Sequence, residues 1–262
     1  STPIWTRGSA VASSSVAESP AASRAVGAPV SRGRPVSLVG LIARNRLALT
    51  GAILAVLLTA MAVLAGVISP FDPMAVDVMA AFKGPSAKHL FGTDRFGRDL
   101  LTRVIYGARV SLGIAFASVA AAMVVGSVLG LFAAYVGRSW DTVLGRVMDV
   151  LFSFPLLLLA IAIVGVLGPG IPNAIIAITI VYTPFFFRVA RGPMLGEREK
   201  EYVQAAKAVG AGNARILWRH LLPNLLSPIV VQASVTIAYA ILTEASLSYL
   251  GLGTPLLTPS WG

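Results

Sequence analysis

The sequence predicts an all-α, polytopic membrane protein, a bundle of apolar spans joined by charged segments. Composition is the first reason: 56% of the 262 residues are hydrophobic and only 12% are charged, where a soluble domain carries about 25% charged residues. So little polar surface cannot keep that much apolar side chain in water, so the solvent for most of the chain is lipid. The second reason is a series of long apolar runs. The third is the placement of the basic residues, which lie mostly between the runs.

Residues 1–37 are rich in Ala, Ser and Pro and carry Arg7, Arg24, Arg32 and Arg34 with no apolar period. This composition predicts a disordered tail, and without an apolar core it is no secretory signal. The chain opens on Ser1, and its natural start is expected to lie upstream. Leu47–Ser69 is the first apolar run, long enough as a helix to cross a hydrocarbon core of about 30 Å. Val110–Val136, Val147–Leu167, Asn173–Phe187 and Leu225–Gly253 are the next four, giving five expected spans. Gly168-Pro169-Gly170-Ile171-Pro172 breaks the chain between the third and fourth. Residues 38–262 thus form one membrane domain.

The 21 Lys and Arg exceed the 11 Asp and Glu, for a formal charge of +10. No basic stripe with interleaved aromatics accompanies this excess, so a nucleic-acid partner is not expected. Basic residues set topology instead. With the N-terminus on the cytoplasmic side, inner segments hold 15 Lys and Arg and outer segments hold 6. All six outer cations fall in Pro70–Arg109, beside Asp72, Asp77, Asp94 and Asp99. In that segment, the spacing of Asp99 and Arg103 predicts a short surface helix with an ion pair. Arg98 and Arg103 are expected on an outer docking surface.

Residues 188–224 are the most informative stretch. Glu197–Val209 has strong helix formers and no Pro or Gly. Tyr202, Ala205, Ala206 and Val209 recur at helical spacing and predict one small, flat face. Gly210 is placed to end this helix, Asn213 to cap a second one bearing Ile216, Leu217 and Leu221, and Pro223 to mark its end. A small-faced helix of this kind suits a cleft on a partner, with the Gly break setting the angle between two arms. A plain surface hairpin is the alternative.

Gln204-Ala205-Ala206, three residues, Gly210, then Leu222-Pro223 resembles the EAA motif of ABC-importer permeases, with matching spacing throughout. Gln204 replaces the usual Glu, and His220 stands at a branched apolar position. His89-Leu90-Phe91-Gly92-Thr93-Asp94, Gly97-Arg98-Asp99, Arg103 and Gly107-Ala108-Arg109 are similar to the segment before the second span in C-type permeases of dipeptide and oligopeptide importers. Glu244-Ala245-Ser246-Leu247-Ser248-Tyr249-Leu250-Gly251-Leu252-Gly253 is similar to the end of their fifth span. The resemblance covers roughly residues 38–262 and implies the type I importer permease fold with six spans, of which five are present here and a sixth is expected beyond Gly262. It implies a transporter subunit of a bacterial or archaeal cytoplasmic membrane, not an enzyme. The implied partners are a second permease, two cytoplasmic ABC ATPases, an extracytoplasmic peptide-binding protein and membrane lipid. Peptide is the implied cargo, with nickel complexes the alternative known among relatives. Gln204, Ala205, Ala206, Gly210, Leu222 and Pro223 would couple to the ATPases.

Other chemistry finds little support. No G-x-x-x-x-G-K-[ST] motif occurs, so no cofactor is expected in this chain and ATP is expected on partner subunits. With no Cys, thiolate sites are excluded. His89 and His220 are the only histidines and fall on opposite sides of the expected membrane. Asp149 and Glu244 lie within or beside apolar runs, where an acid is costly and often functional. Structural contact, substrate-amine binding and proton relay compete there. An ion-coupled secondary transporter using these acids is the rival function, and structural contact leads because neither shows an obvious intrachain cation.

Overall fold

The computed structural model describes residues 45–198, 200–210, 222–255 and 257–262; for Arg138, Glu197, Arg198, Tyr202, Ala206, Lys207 and Leu222–Asn224 it describes the backbone alone. The expected tail, Asn213, Ile216, Leu217, His220 and Leu221 lie outside these residues. The chain divides into two units between Gly51 and Ala52. The first contributes only the opening of helix α1, Arg46–Val63. Its first turn is capped by Asn45, whose side-chain oxygen accepts from the Leu47 N–H at 3.0 Å.

The other α-helices among the described residues are α2 (Ala65–Ile68), α3 (Leu100–Val136), α4 (Arg138–Phe152), α5 (Leu156–Leu167), α6 (Ile171–Arg198), α7 (Glu201–Ala208) and α8 (Leu222–Tyr249). Four of them, α1, α3, α6 and α8, are individually long and apolar enough to cross a membrane, and the bent pair α4–α5 makes up to five. Burial is graded among them. Only 6% of the most apolar window of α1 is buried, against 56% for α6. The exposed Leu, Ile and Val of α1 suit lipid and would be a liability in water.

The third expected span, Val147–Leu167, is not one straight helix. It breaks at Ser153-Phe154-Pro155, and α4 and α5 meet at 95°. Pro155 is the cause: its ring disfavours helical backbone at Phe154, and it brings no N–H to the ladder. The 12 residues of α5 reach only about 18 Å at ~1.5 Å per residue, short of a ~30 Å core.

Two spans are longer than their hydropathy suggests. α3 starts at Leu100, not Val110, because the Asp99 side chain accepts from the Thr102 N–H and caps it. The expected Asp99–Arg103 pair is therefore absent. α6 runs past Phe187 to Arg198 through Pro184 and Pro193. At its start Asn173 Nδ2 donates to the terminal carbonyls of α5, Leu167 and Gly168, at 2.9 and 3.0 Å. The following helix begins at Glu201, not Glu197, and Leu222-Pro223 opens α8 where a helix end was expected. Pro in a first turn loses nothing, since its N–H would be unpaired there anyway.

The core lies where α3 and α6 press together. Gly126 and Gly130 stand one turn apart on α3, and a Cβ on either would strike the α6 backbone, at the carbonyls of Thr183 and Phe187 respectively. Ala115, Ala122, Ala174, Ala177, Ile178, Val181 and Phe186 are buried around this contact. Lipid supplies no hydrophobic force between helices, so close backbone approach at small residues does the work. Gly130→Leu is expected to force the helices apart and destabilise the bundle by about 1–3 kcal/mol or more, and Gly113→Leu, in open space, should not. Thermal unfolding and monodispersity in detergent check this.

Candidate functional site

Two polar regions flank the apolar core. At one, α4 is tied to the late turns of α6. Arg191 Nε and Nη2 donate to the two carboxylate oxygens of Asp141 at 2.5 and 2.7 Å. Arg188 Nη2 donates to Asp149 at 2.8 Å, and its guanidinium carbon sits 3.9 Å from the Phe152 ring centre. Asp149 thus has an intrachain cation, contrary to expectation. It lies on α4, before the bend, and its side chain is more than half exposed. The pairs join residues 39 and 50 positions apart, beyond the reach of any local periodicity.

α7 follows α6 after residues 199 and 200. Val203 is buried in the same cluster as Met194 and Leu225, which anchors the helix. Gln204 and Ala205 are exposed, as is Val209. Val209 N–H donates to Ala205 at 3.1 Å, and Gly210 then turns to φ +82. That left-handed backbone is cheap for Gly and strained for a β-branched residue. Ala206, Leu222 and Pro223 are placed by backbone only, in α7 and the first turn of α8.

Glu244 occupies the opposite extreme of environment. It is fully buried on α8. Ser248 Oγ donates to Oε1 at 2.7 Å, while Oε2 has no hydrogen-bond partner among the described residues. Ser248 Oγ in turn accepts from the Thr254 N–H at 3.1 Å, and Thr254 Oγ1 lies 3.0 Å from Ser260 Oγ. Trp261 closes this side against α3, donating from its backbone to Ser111 Oγ and from Nε1 to Val104 O. No cation pairs with Glu244 among the described residues.

The second polar region is the segment 70–99. Arg98, expected at a docking surface, is buried instead, with Nε donating to Asp94 Oδ2 at 2.7 Å. Arg103 reaches the same oxygen at 4.0 Å. His89 Nδ1 lies 3.0 Å from Asp99 Oδ1, and Phe71 stacks on the imidazole. Gly92 and Gly97 hold positive φ where a Cβ would strike the backbone of Lys83 and Asp77. Among the described residues no group of His, Cys, Asp or Glu is arranged to hold a metal ion.

Burial raises the Asp94 carboxyl, but backbone N–H donors at Arg98 and Phe96 and the Arg98 guanidinium outweigh it and hold Asp94 below its ordinary value. For Asp99, burial is again outweighed, here by Thr102 N–H and His89. Depressed carboxylates contribute stability that is complete above the unfolded value and lost as pH falls through the folded one. Hydrogen-exchange protection of 77–99, corrected for intrinsic rate, is therefore expected to hold from neutral pH to 5 and to fall only below about 4. Asp94→Ala strands a buried guanidinium and should destabilise this segment by about 3–5 kcal/mol, measured by limited proteolysis.

Comparison with known proteins assigns the chain. Residues 126–262 match the family described as binding-protein-dependent transport system inner membrane component, and residues 41–85 match the N-terminal TM domain of oligopeptide transport permease C. The dipeptide transport system permease protein DppC of Alkalihalophilus pseudofirmus is 45% identical over 219 residues, 84% of this chain and 72% of that protein. The di/tripeptide transport system permease protein DppC of Pseudomonas aeruginosa is 39% identical, over 84% of this chain and 75% of that protein. The glutathione transport system permease protein GsiD of Escherichia coli is 42% identical, over 84% and 73%. A chain from the inward-facing MetNI methionine ABC transporter shares the fold with a TM-score of 0.54 at 22% identity, over 59% of this chain and 77% of that one. A helical chain with four helices long and apolar enough to cross a membrane, or five with the bent α4–α5 pair, matched at both ends to these permeases, belongs to the binding-protein-dependent transport system inner membrane component family.

Proposed function

We propose that this chain forms one half of the translocation pore of an ATP-driven importer of di- and oligopeptides, and that α7 with Gly210 is its contact with the ATPases. The observation that carries the cargo class is its 45% identity to a dipeptide permease. In this proposal the N-terminus is cytoplasmic, a second permease completes the pore, two ATPases bind below, and an extracytoplasmic protein delivers peptide. The chain binds no ATP and carries no cofactor of its own.

The geometry supplies a route for the work. α6 is continuous from the α5 turn to Arg198, so a push passed from α7 to α6 through the buried Val203 reaches the Gly126–Gly130 contact along one unbroken helix. The pairs Arg188–Asp149 and Arg191–Asp141 carry the same displacement sideways into α4 and the bent α4–α5 pair. Gln204 and Ala205 present the exposed surface that an ATPase cleft would take, and Gly210 sets the exit angle.

A second function has one observation in its favour. The Oε2 of fully buried Glu244, unpartnered among the described residues, is what an ion-coupled carrier would use, and such a carrier works without ATPases. Gentle detergent purification from the native membrane, followed by mass spectrometry, separates the two. Recovery with a second permease and P-loop ATPases supports the importer, and recovery alone or as a homo-oligomer supports the carrier.

Within the importer, a substitution series at Gly210 tests the joint. Among the described residues nothing lies within 4 Å of a Cβ there, so backbone strain is the obstacle tested. Gly210→Val is expected to cut peptide uptake at least tenfold while ATP hydrolysis persists. Gly210→Asn, which tolerates the left-handed region, should retain most uptake. Equal loss in both variants would show that the backbone angle is not what matters.

A further inference from the structure

The ion pairs use only part of α4. At ~3.6 residues per turn, its circumference has distinct sectors. Leu144, Met148 and Leu151 turn inward, toward Ala133 and Phe187. Asp141 and Asp149 come next, tied to α6. Beyond Asp149 comes Arg146, and beyond Arg146 an outward stripe of Trp140, Val143, Val147 and Val150, each about half exposed. Arg146 therefore marks the seam between a polar sector and an exposed apolar one. It is exposed, and no hydrogen bond or ion pair engages it among the described residues.

Arg146 also lines a cleft of about 230 Å³ with Asp141, Asp149, Arg188 and Arg191. Among the described lining residues three guanidinium groups face two carboxylates, an excess of one positive charge. Arg188 gives only Nη2 to Asp149, and its other N–H groups have no protein acceptor among the described residues. The cleft thus offers two guanidinium groups to an anion, beside an apolar stripe on the same helix.

We infer that this surface binds an anionic phospholipid, its phosphate between Arg146 and Arg188 and its acyl chain along Trp140, Val143, Val147 and Val150. The bend supplies the orientation. α5 returns along α6 through the Gly168–Gly170 turn, so α5 runs with the spans. With α5 taken along the spans, the 95° bend lays α4 along the membrane surface in this inference. A surface helix with a cationic rim, a Trp and an apolar stripe has the composition of an interfacial helix. Charge selects the occupant: a zwitterionic headgroup carries its own cation and leaves the surplus arginine unneutralised. The inference needs only that the chain spans a membrane, and it is independent of cargo and of ATPase coupling.

The test uses the complex as purified from its membrane, delipidated in detergent and titrated with dioleoylphosphatidylglycerol or dioleoylphosphatidylcholine, with adducts counted by native mass spectrometry. Wild type is expected to retain phosphatidylglycerol at least fivefold better than phosphatidylcholine. Arg146→Gln should abolish that preference, Arg146→Lys should restore most of it, and subunit composition should stay constant. Inorganic phosphate at equal concentration should not displace the lipid. Equal retention of the two lipids, an unchanged preference in Arg146→Gln, or displacement by inorganic phosphate would overturn the inference. So would loss of a protein subunit from Arg146→Gln with lipid adducts unchanged, which would make the occupant a protein.

Discussion

The contact of α3 with α6 at Gly126 and Gly130 is the constraint on which the other elements depend. In water, two apolar helices associate to escape solvent. In lipid that drive is gone, because acyl chains are as apolar as leucine. What remains is dispersion between closely fitted surfaces, steep in distance. A Cβ at either glycine would collide with the α6 backbone, so the two backbones come as near as peptide groups allow. Around them Ala115, Ala122, Ala174 and Ala177 keep the gap small along the pair. α8 and α5 then complete the same cluster through Ala240, Leu247, Ala160 and Val164.

Once that contact is set, the polar groups sort by depth. Ion pairs with exposed edges sit at the late turns of α6, where solvent screening limits their contribution to stability. Their value is geometric: a bidentate Arg191–Asp141 pair fixes both distance and orientation between α4 and α6. Glu244 shows the opposite case. An acid with zero exposure and one oxygen unpartnered among the described residues opposes stability, which makes its presence on α8 hard to explain by packing alone.

Hydropathy revealed the spans that depend only on composition. Leu47–Ser69 and Leu225–Gly253 correspond to α1–α2 and to α8 within a few residues. It failed where one residue acts through backbone geometry. Pro155 barely changes the mean of an apolar window, yet it turns the chain by 95°. Asp99 reads as a charge in a loop, whereas as an N-cap it adds three turns to α3. The Gln204-Ala205-Ala206 to Gly210 spacing was legible because helix and break are local. The pairing of Asp149 with Arg188 was not, since helix packing brings together residues far apart in sequence. The glycines at 126 and 130 stood in view, one turn apart, and could have been recognised as a close-packing face.

These features together bear on how force would travel in the proposed importer. A flexible link between α7 and the core would absorb a push; the described chain has few places for one. α6 has no break from Ile171 to Arg198, even across Pro184 and Pro193. At Pro184, Thr183 Oγ1 bonds back to Thr179 O at 2.8 Å and adds a local tie where the ladder is interrupted. Val203 anchors α7 to the core cluster, so the exposed Gln204–Ala205 surface moves with α6 and not independently of it. Gly210, with its left-handed backbone, then sets the angle at which the chain leaves α7. A peg seated on α6 in this way passes its displacement to the pore through α6, whose closest contact is the one that cannot be loosened without parting the bundle.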